Sequence, residues 1–215
     1  MACDTITTTR HHGAGSLEVI CGPMFSGKSE ELIRRLRRAE IARQHVLTFK
    51  SSLDNRKSLD HVVSHDGTQL RAQPIHTIMR IQETAFVPEV DVIGIDEVQF
   101  FSLEIIPLLS NLVEAGKRVI VAGLDLDFRG APFGPMPLLL AIADKITKLR
   151  AICCVCGVDA HYTQRLVNGE PARYDDPTIM IGAQESYQAR CRLCYRIDKK
   201  PLIGTLTYEQ TENFI

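Results

Sequence analysis

The chain has 215 residues, 45% hydrophobic and 24% charged, and its 25 Lys and Arg against 26 Asp and Glu leave a formal net charge of -1. That length supports a sizeable core but is short for two full domains. The even charge balance argues against a chain that grips nucleic acid or a membrane surface by bulk electrostatics. No apolar run approaches the roughly 20 residues of a membrane helix. Residues 1–15, "MACDTITTTRHHGAG", lack the apolar stretch of a secretory signal and read as a flexible tail. Seven Cys, an odd number without such a signal, argue for a reducing, cytoplasmic setting rather than a disulfide framework.

Taken in chain order, "LEVIC" (17–21) is a short buried strand. From Lys28 to about Gln44 the apolar Leu32, Ile33, Leu36 and Ile41 recur near a 3.6 period, which predicts a helix with Arg34, Arg35, Arg37 and Arg38 on its solvated face. "HVLTF" (45–49) is the next strand, and the polar, aperiodic residues 51–66 read as loop. "VDVIGID" (90–96) is a strand ending in acids. A helix is expected from Ser102 to Ala115 with Gly116 closing it, then a strand "RVIVAGL" (118–124) and a Gly/Pro-rich loop over 125–135. This alternation predicts an α/β core with a mainly parallel sheet and helices on its faces. Near residue 145 the pattern changes to short β-like runs, turn residues and two Cys pairs.

"GPMFSGKS" fits G-x-x-x-x-G-K-[ST] through Gly22, Gly27, Lys28 and Ser29, and it lies between a strand and a helix. The glycines let backbone amides turn toward phosphate oxygens, and the helix N-terminus adds its positive dipole end. Lys28 reaches the β- and γ-phosphates, and the Ser29 hydroxyl suits Mg²⁺. Asp96, at the end of a neighbouring apolar strand, is the expected partner of that Mg²⁺. Glu97 follows it as a second carboxylate, suited to take a proton from an attacking hydroxyl or water. These residues say nucleoside triphosphate, Mg²⁺ and a base; they do not name the acceptor.

Cys153-x-x-Cys156 and Cys191-x-x-Cys194 have the spacing of a four-thiolate structural zinc site, with iron–sulfur ligation and redox cysteines as the competing readings. Cys154 reads as a bystander and Cys21 as a buried strand residue. The 34 residues between the pairs are long for an irregular connection, and loops of that length are often lids or binding loops. This one holds Tyr162, Thr163, Arg165, Gly182 and Tyr187, a mixture suited to a planar small molecule.

With "GPMFSGKS", "DEVQFF", "GLDLDFRGAPFG", "CCVCG…AHYTQRL" and "IMIGAQESYQARCRLCY" in this order, the chain resembles the zinc-containing type II thymidine kinases over roughly residues 17 to 196. The resemblance implies a RecA-like core with a phosphate loop, a zinc domain whose lasso covers the nucleoside, and a homotetramer. It implies ATP-dependent phosphorylation of the 5′-hydroxyl of thymidine and deoxyuridine in nucleotide salvage, with dTTP as feedback inhibitor and no nucleic-acid or membrane partner. The division it suggests is a tail at 1–15, an ATP-binding domain at 16–149, a zinc-binding lasso domain at 150–196 and a tail at 197–215.

Matched position by position, the ATP site comprises Gly22, Pro23, Met24, Phe25, Ser26, Gly27, Lys28 and Ser29, then Asp54, Asn55 and Arg56, then Asp96, Glu97, Val98 and Gln99. Glu97 matches the catalytic base. Phe128 matches a nucleoside-contacting aromatic; Thr178, Ile179, Met180, Ile181, Gly182 and Tyr187 match the lasso stretch against base and sugar; Met24, Phe101, Leu124 and Thr163 line the pocket. Cys153, Cys156, Cys191 and Cys194 match the Zn²⁺ ligands. Arg56 and Arg165 are candidates for cationic help at the transferring phosphate, with a structural role as the other reading of Arg165. Two departures are the long lasso segment "VNGEPARYDDP" and Lys57, where many members carry Tyr. The alternative from another class is a nucleic-acid-stimulated ATPase with a zinc knuckle; "DEVQ" resembles a helicase acidic motif, but a second ATPase lobe is missing.

Overall fold

The computed structural model describes residues 14–52, 61–63, 69–75, 77–178 and 185–198. In chain order these form β1 (Ser16–Cys21), α1 (Lys28–Ile41), β2 (Val46–Ser51), β3 (His61–Val63), β4 (Gln69–Arg71), β5 (Gln73–Ile75), α2 (Met79–Ala85) and β6 (Val92–Asp96). A short 3-10 turn, Val98–Phe100, precedes α3 (Ile105–Glu114), β7 (Arg118–Gly123), α4 (Met136–Ile142) and β8 (Lys145–Lys148). The remainder holds β9 (Ala151–Ile152), β10 (Asp159–Ala160), β11 (Tyr162–Val167), β12 (Glu170–Pro171) and β13 (Glu185–Arg190).

Six strands make one sheet in the order β5-β2-β6-β7-β1-β8, with every pairing parallel. Strand alternation sorts its side chains onto two covered faces. Leu17, Val19 and Cys21 of β1, Ile93 and Ile95 of β6, and Val119 and Val121 of β7 pack with Ile81 of α2, Ile105, Leu109 and Leu112 of α3, and Met136 and Leu139 of α4. On the other face Ile20, Val92, Ile120 and Ala122 meet Leu32, Leu36 and Ala39 of α1. Gly94 sits under that helix: a Cβ there would lie 2.5 Å from Leu36 Cδ1. None of the helices among the described residues is long and apolar enough to cross a membrane. The parallel α/β core is the one the sequence pattern predicts, and the chain beyond residue 148 is the expected set of short strands: β9 with β10, and an antiparallel sheet β12-β11-β13.

Three expectations need correction. Residues 51–66 are not all loop: β3 pairs antiparallel with β4, too short and too polar for a period to show. The first helix stops at Ile41, whose side chain is 82% exposed rather than part of the apolar stripe; Arg43, at φ 60, turns the chain there and Gln44 N–H donates back to Ala39 O. The arginines of α1 are not all on a solvated face. Glu18 occupies an α1-facing position of β1, two residues before Ile20, and an unpaired carboxylate is costly there. Arg35 is therefore drawn inward: Nη1 donates to Glu18 Oε2 at 2.6 Å, Nε to Glu31 Oε1 at 2.8 Å and Nη2 to Thr147 Oγ1 at 2.8 Å.

These pairs shape the acid response. The Arg34 hydrogen bond, aided by Arg35, draws the Glu31 carboxyl from an ordinary 4.5 to about 2, and burial opposes it. Burial also works against the Glu18 carboxylate, but Arg118 and Arg35 together outweigh it and hold that carboxyl below its usual range. A carboxyl depressed in the folded state stabilises fully above its unfolded value and loses that contribution as pH falls through the folded one. Urea midpoints should accordingly drop between pH 4.5 and about 2, with a shallower slope in Glu31→Gln; equal slopes would remove Glu31 from the acid response.

Candidate active site

The phosphate loop leaves the C-terminal end of β1 through a glycine that has no alternative. Gly22 has φ 143, and a Cβ on it would sit 2.5 Å from Leu149 O. Gly27, at φ 82, turns the chain into α1, whose N-terminus carries no side-chain cap bond and so presents its first amides to the loop. Ser26 Oγ and Lys28 Nζ each donate to Pro23 O at 2.8 Å, folding the lysine back onto the loop.

The sheet order brings the acidic pair beside this loop, since only β7 separates β6 from β1. Ser29 Oγ donates to Asp96 Oδ2 at 2.9 Å. Burial, then the charge of Glu97, pushes the Asp96 carboxyl up to about 7. A buried carboxylate under that strain is stabilised by a cation, and a hydroxyl with a carboxylate is a donor set suited to Mg²⁺. Glu97 is in the left-handed region, φ 55 and ψ 42. A non-glycine residue there costs about 1–2 kcal/mol, and such strain collects at working sites. Two bonds over-determine it: Glu97 N–H donates to Asp96 Oδ1 at 3.0 Å, and Gln99 Nε2 donates to Glu97 Oε2 at 2.5 Å. Gln99 Oε1 in turn accepts Leu124 N–H at 3.1 Å, so a buried amide ties the carboxylate to the end of β7.

A second group of expected residues meets on the other side of the loop. Met24 N–H donates to Thr163 Oγ1 at 3.0 Å, joining the phosphate loop to β11. Phe128 is buried, with the Arg129 and Arg165 guanidinium carbons 5.1 and 4.9 Å from its ring centre. Arg165 pairs across the sheet with Tyr187 and donates from Nη1 to Pro177 O at 2.6 Å. Arg129 Nη2 donates to Thr178 Oγ1 at 2.8 Å. Of the two roles open to Arg165, the structure supports the structural one: its side chain is wholly buried between the Phe128 ring and the Pro177 carbonyl. Phe101 and Leu124 are buried nearby in the chain's order, at the ends of the 3-10 turn and of β7. Asp54, Asn55, Arg56, Lys57, Ile179, Met180, Ile181 and Gly182 lie outside the described residues.

Sequence reasoning missed two anchors. Arg129 directly follows Phe128 in "DFRG", and that adjacency to a matched aromatic was the available signal. Tyr195, beside the last Cys, donates from its hydroxyl to Phe128 O at 2.5 Å and stacks on Tyr162 with ring centres 4.6 Å apart.

The four paired cysteines converge as their spacing predicts. All four Sγ atoms lie within 4.8 Å of one another, with Cys156 to Cys191 at 3.5 Å and Cys194 to Cys156 at 3.6 Å. Four thiolates around a zinc at about 2.3 Å have edges of about 3.8 Å, so the cluster has the size of a zinc tetrahedron. Two turns shape it: Gly157 N–H returns to Cys153 O and Cys194 N–H to Cys191 O. Cys154 is exposed and stands outside the set. Hydrogen bonding of the Cys194 thiol to the neighbouring Cys191 and Cys156 sulfurs pushes it up to about 12, a cost that a divalent cation removes by replacing protons. The apolar residues packed here, apart from cysteines, are Ala151, Ala160 and Ala189. At about 0.8 kcal/mol per buried carbon, three methyl groups contribute far less than the ~10–16 kcal/mol of a structural zinc.

A strand–loop–helix phosphate cradle, a buried acid pair beside it and a four-cysteine domain bonded back to the loop are thus one connected arrangement. The thymidine kinase family matches residues 15–195, nearly the whole of this arrangement. The chain belongs to the thymidine kinase family, and its activity is the ATP-dependent phosphorylation of thymidine.

Proposed function

We propose that Glu97 is the general base of this reaction and that the bridge Glu97–Gln99–Leu124 is what aims it. The reading rests on that bridge standing beside the Ser29–Asp96 pair, so that base and metal donors share one corner of the loop. Glu97 accepts the proton of the 5′-hydroxyl, the hydroxyl oxygen forms its bond to the γ-phosphorus, and the bond to the bridging oxygen breaks to release ADP. Lys28 and the loop amides stabilise the charge on the transferring group. Ser29 and Asp96 would hold Mg²⁺, which when bound would neutralise charge on the phosphates. Residues 22–29, Asp54, Asn55, Arg56 and 96–99 form the donor side in this reading. Met24, Phe101, Leu124, Phe128, Thr163, Thr178–Gly182 and Tyr187 form the acceptor side.

Resemblance to the zinc-containing thymidine kinases supports the finer assignments of this proposal. Deoxyuridine serves as a second acceptor. dTTP inhibits, because it carries the acceptor's base and the donor's triphosphate in one molecule. The enzyme works as a cytoplasmic homotetramer in nucleotide salvage, with 16–149 as its ATP-binding domain and 150–196 as its zinc domain.

Replacing Glu97 by Gln keeps the size of the side chain and removes the base, so kcat should fall about 10²-fold or more while KM for ATP barely moves; near-normal turnover would take Glu97 out of the role. Removing zinc with a chelator, or Cys156→Ser, should abolish thymidine binding while ATP affinity stays within about threefold, because the metal holds the acceptor side only. Calorimetry with each ligand reads this, and equal loss of both ligands would count against the division. Arg129→Ala removes the tie from Phe128 to Thr178 and should raise KM for thymidine about tenfold with little change in kcat, the scale of one charge-assisted hydrogen bond. An unchanged KM would show that the tie does not position the acceptor.

A further inference from the structure

Arg35, which α1 turns inward, and the exposed Arg34 and Arg38 form part of a second polar cavity. It has a volume of about 420 Å³ and is lined by Glu18, Arg34, Arg35, Arg38, Arg118 and Lys145. The cavity lies away from the phosphate loop. Lys145 and Arg118 begin β8 and β7, and Glu18, paired in register with Lys145, is three residues before the end of β1, about 10 Å down the strand. Nothing in the proposed transfer uses it.

Its charges do not cancel. Five cationic side chains line it with one carboxylate, and Glu31, beside Arg34 and Arg35, adds a second. Both oxygens of Glu18 are already engaged, Oε2 by Arg35 at 2.6 Å and Oε1 by Arg118 at 2.7 Å. Glu31 is gripped by Arg34 through both Nε and Nη2. The carboxylates therefore act as braces that fix the guanidinium groups, and Arg35 is held with only 6% of its side chain exposed. Arg38 and Lys145 make no ion pair among the described residues and add uncompensated charge at the cavity wall. The braced Arg35 and Arg118 give this open groove a positive floor, and the exposed Arg34, Arg38 and Lys145 add a salt-screened attraction for an anion. A single phosphate is small for this volume, whereas a chain of phosphates spans it and meets several donors at once.

We propose that this cavity is a second anion site, separate from the phosphate loop, that takes the di- or triphosphate group of a small molecule. The site shares α1 with the loop: Lys28 and Ser29 open the helix, and Arg34, Arg35 and Arg38 lie two to three turns further on.

The test separates the two sites by disabling the loop. Inorganic tripolyphosphate is titrated calorimetrically into full-length Lys28→Ala, and then into Lys28→Ala carrying Arg38→Ala and Lys145→Ala. The expected result is about one equivalent bound per chain in the first protein, with affinity weakened about tenfold or more in the second. Absence of binding in the first protein, or binding that Arg38→Ala and Lys145→Ala leave unchanged, overturns the proposal. A parallel titration with ATP identifies the source: equal affinity assigns the site to the phosphate chain alone, and tighter binding assigns it to a nucleotide. Arg38 and Lys145 are exposed, and unchanged ATP affinity of the Arg38→Ala, Lys145→Ala protein with Lys28 intact shows that the fold survives.

Discussion

The chemistry of this chain depends on the register of β1 between two parallel neighbours. Cys21 stands level with Gly123 on one side and with Lys148 on the other. Three strand ends therefore emerge together, and they deliver the phosphate loop, the Leu124–Asp125 corner and Leu149. Leu149 N–H closes onto Cys21 O at 2.8 Å, and Lys148 pairs with Asp125 at 2.8 Å. Gly22 is the point where this closure leaves no room for a side chain. A slip of one residue would reverse every inward side chain of β1 and carry the loop away from Asp96. The donor site is thus a consequence of strand pairing more than of the loop's own preferences.

The strand that meets the phosphate loop, β11, fixes its surroundings through buried polar groups. Thr163, Gln164 and Arg165 are consecutive and all buried. Each reaches a different segment: Thr163 the phosphate loop, Gln164 the Arg196 amide and Arg165 the Pro177 carbonyl. A buried polar group without its partner costs about 1–3 kcal/mol, so these joints tolerate few alternative arrangements. Directional bonds of this kind fix orientation in a way that contacts among alanines cannot.

The sequence made legible what repeats or recurs in a fixed local pattern. Branched apolar runs marked β1, β6 and β7, and the glycine–lysine spacing marked the loop. Asp96 and the four cysteines also stood at positions where local spacing carries the chemistry. Burial that depends on a distant partner was not legible. Arg35 looked like a surface residue because Glu18, seventeen positions earlier, gave no sign of facing the helix. Gln99 read as a nucleotide contact, and its bond to the β7 backbone arises only from tertiary packing. The β3–β4 pair and the Arg129 tie were hidden for the same reason. Short polar strands and single cations carry no period.

Glu97 also bears on how this enzyme can change. Its left-handed backbone suits Gly, Asn or Asp better than Glu, so this position carries its carboxylate against the preference of its own main chain. Substitutions that relax this strain are among the easiest stabilising changes the chain offers. With Glu97 in the role proposed above, a selection for heat resistance alone would drift toward Gly or Asn at this position and discard the transferase while improving the fold.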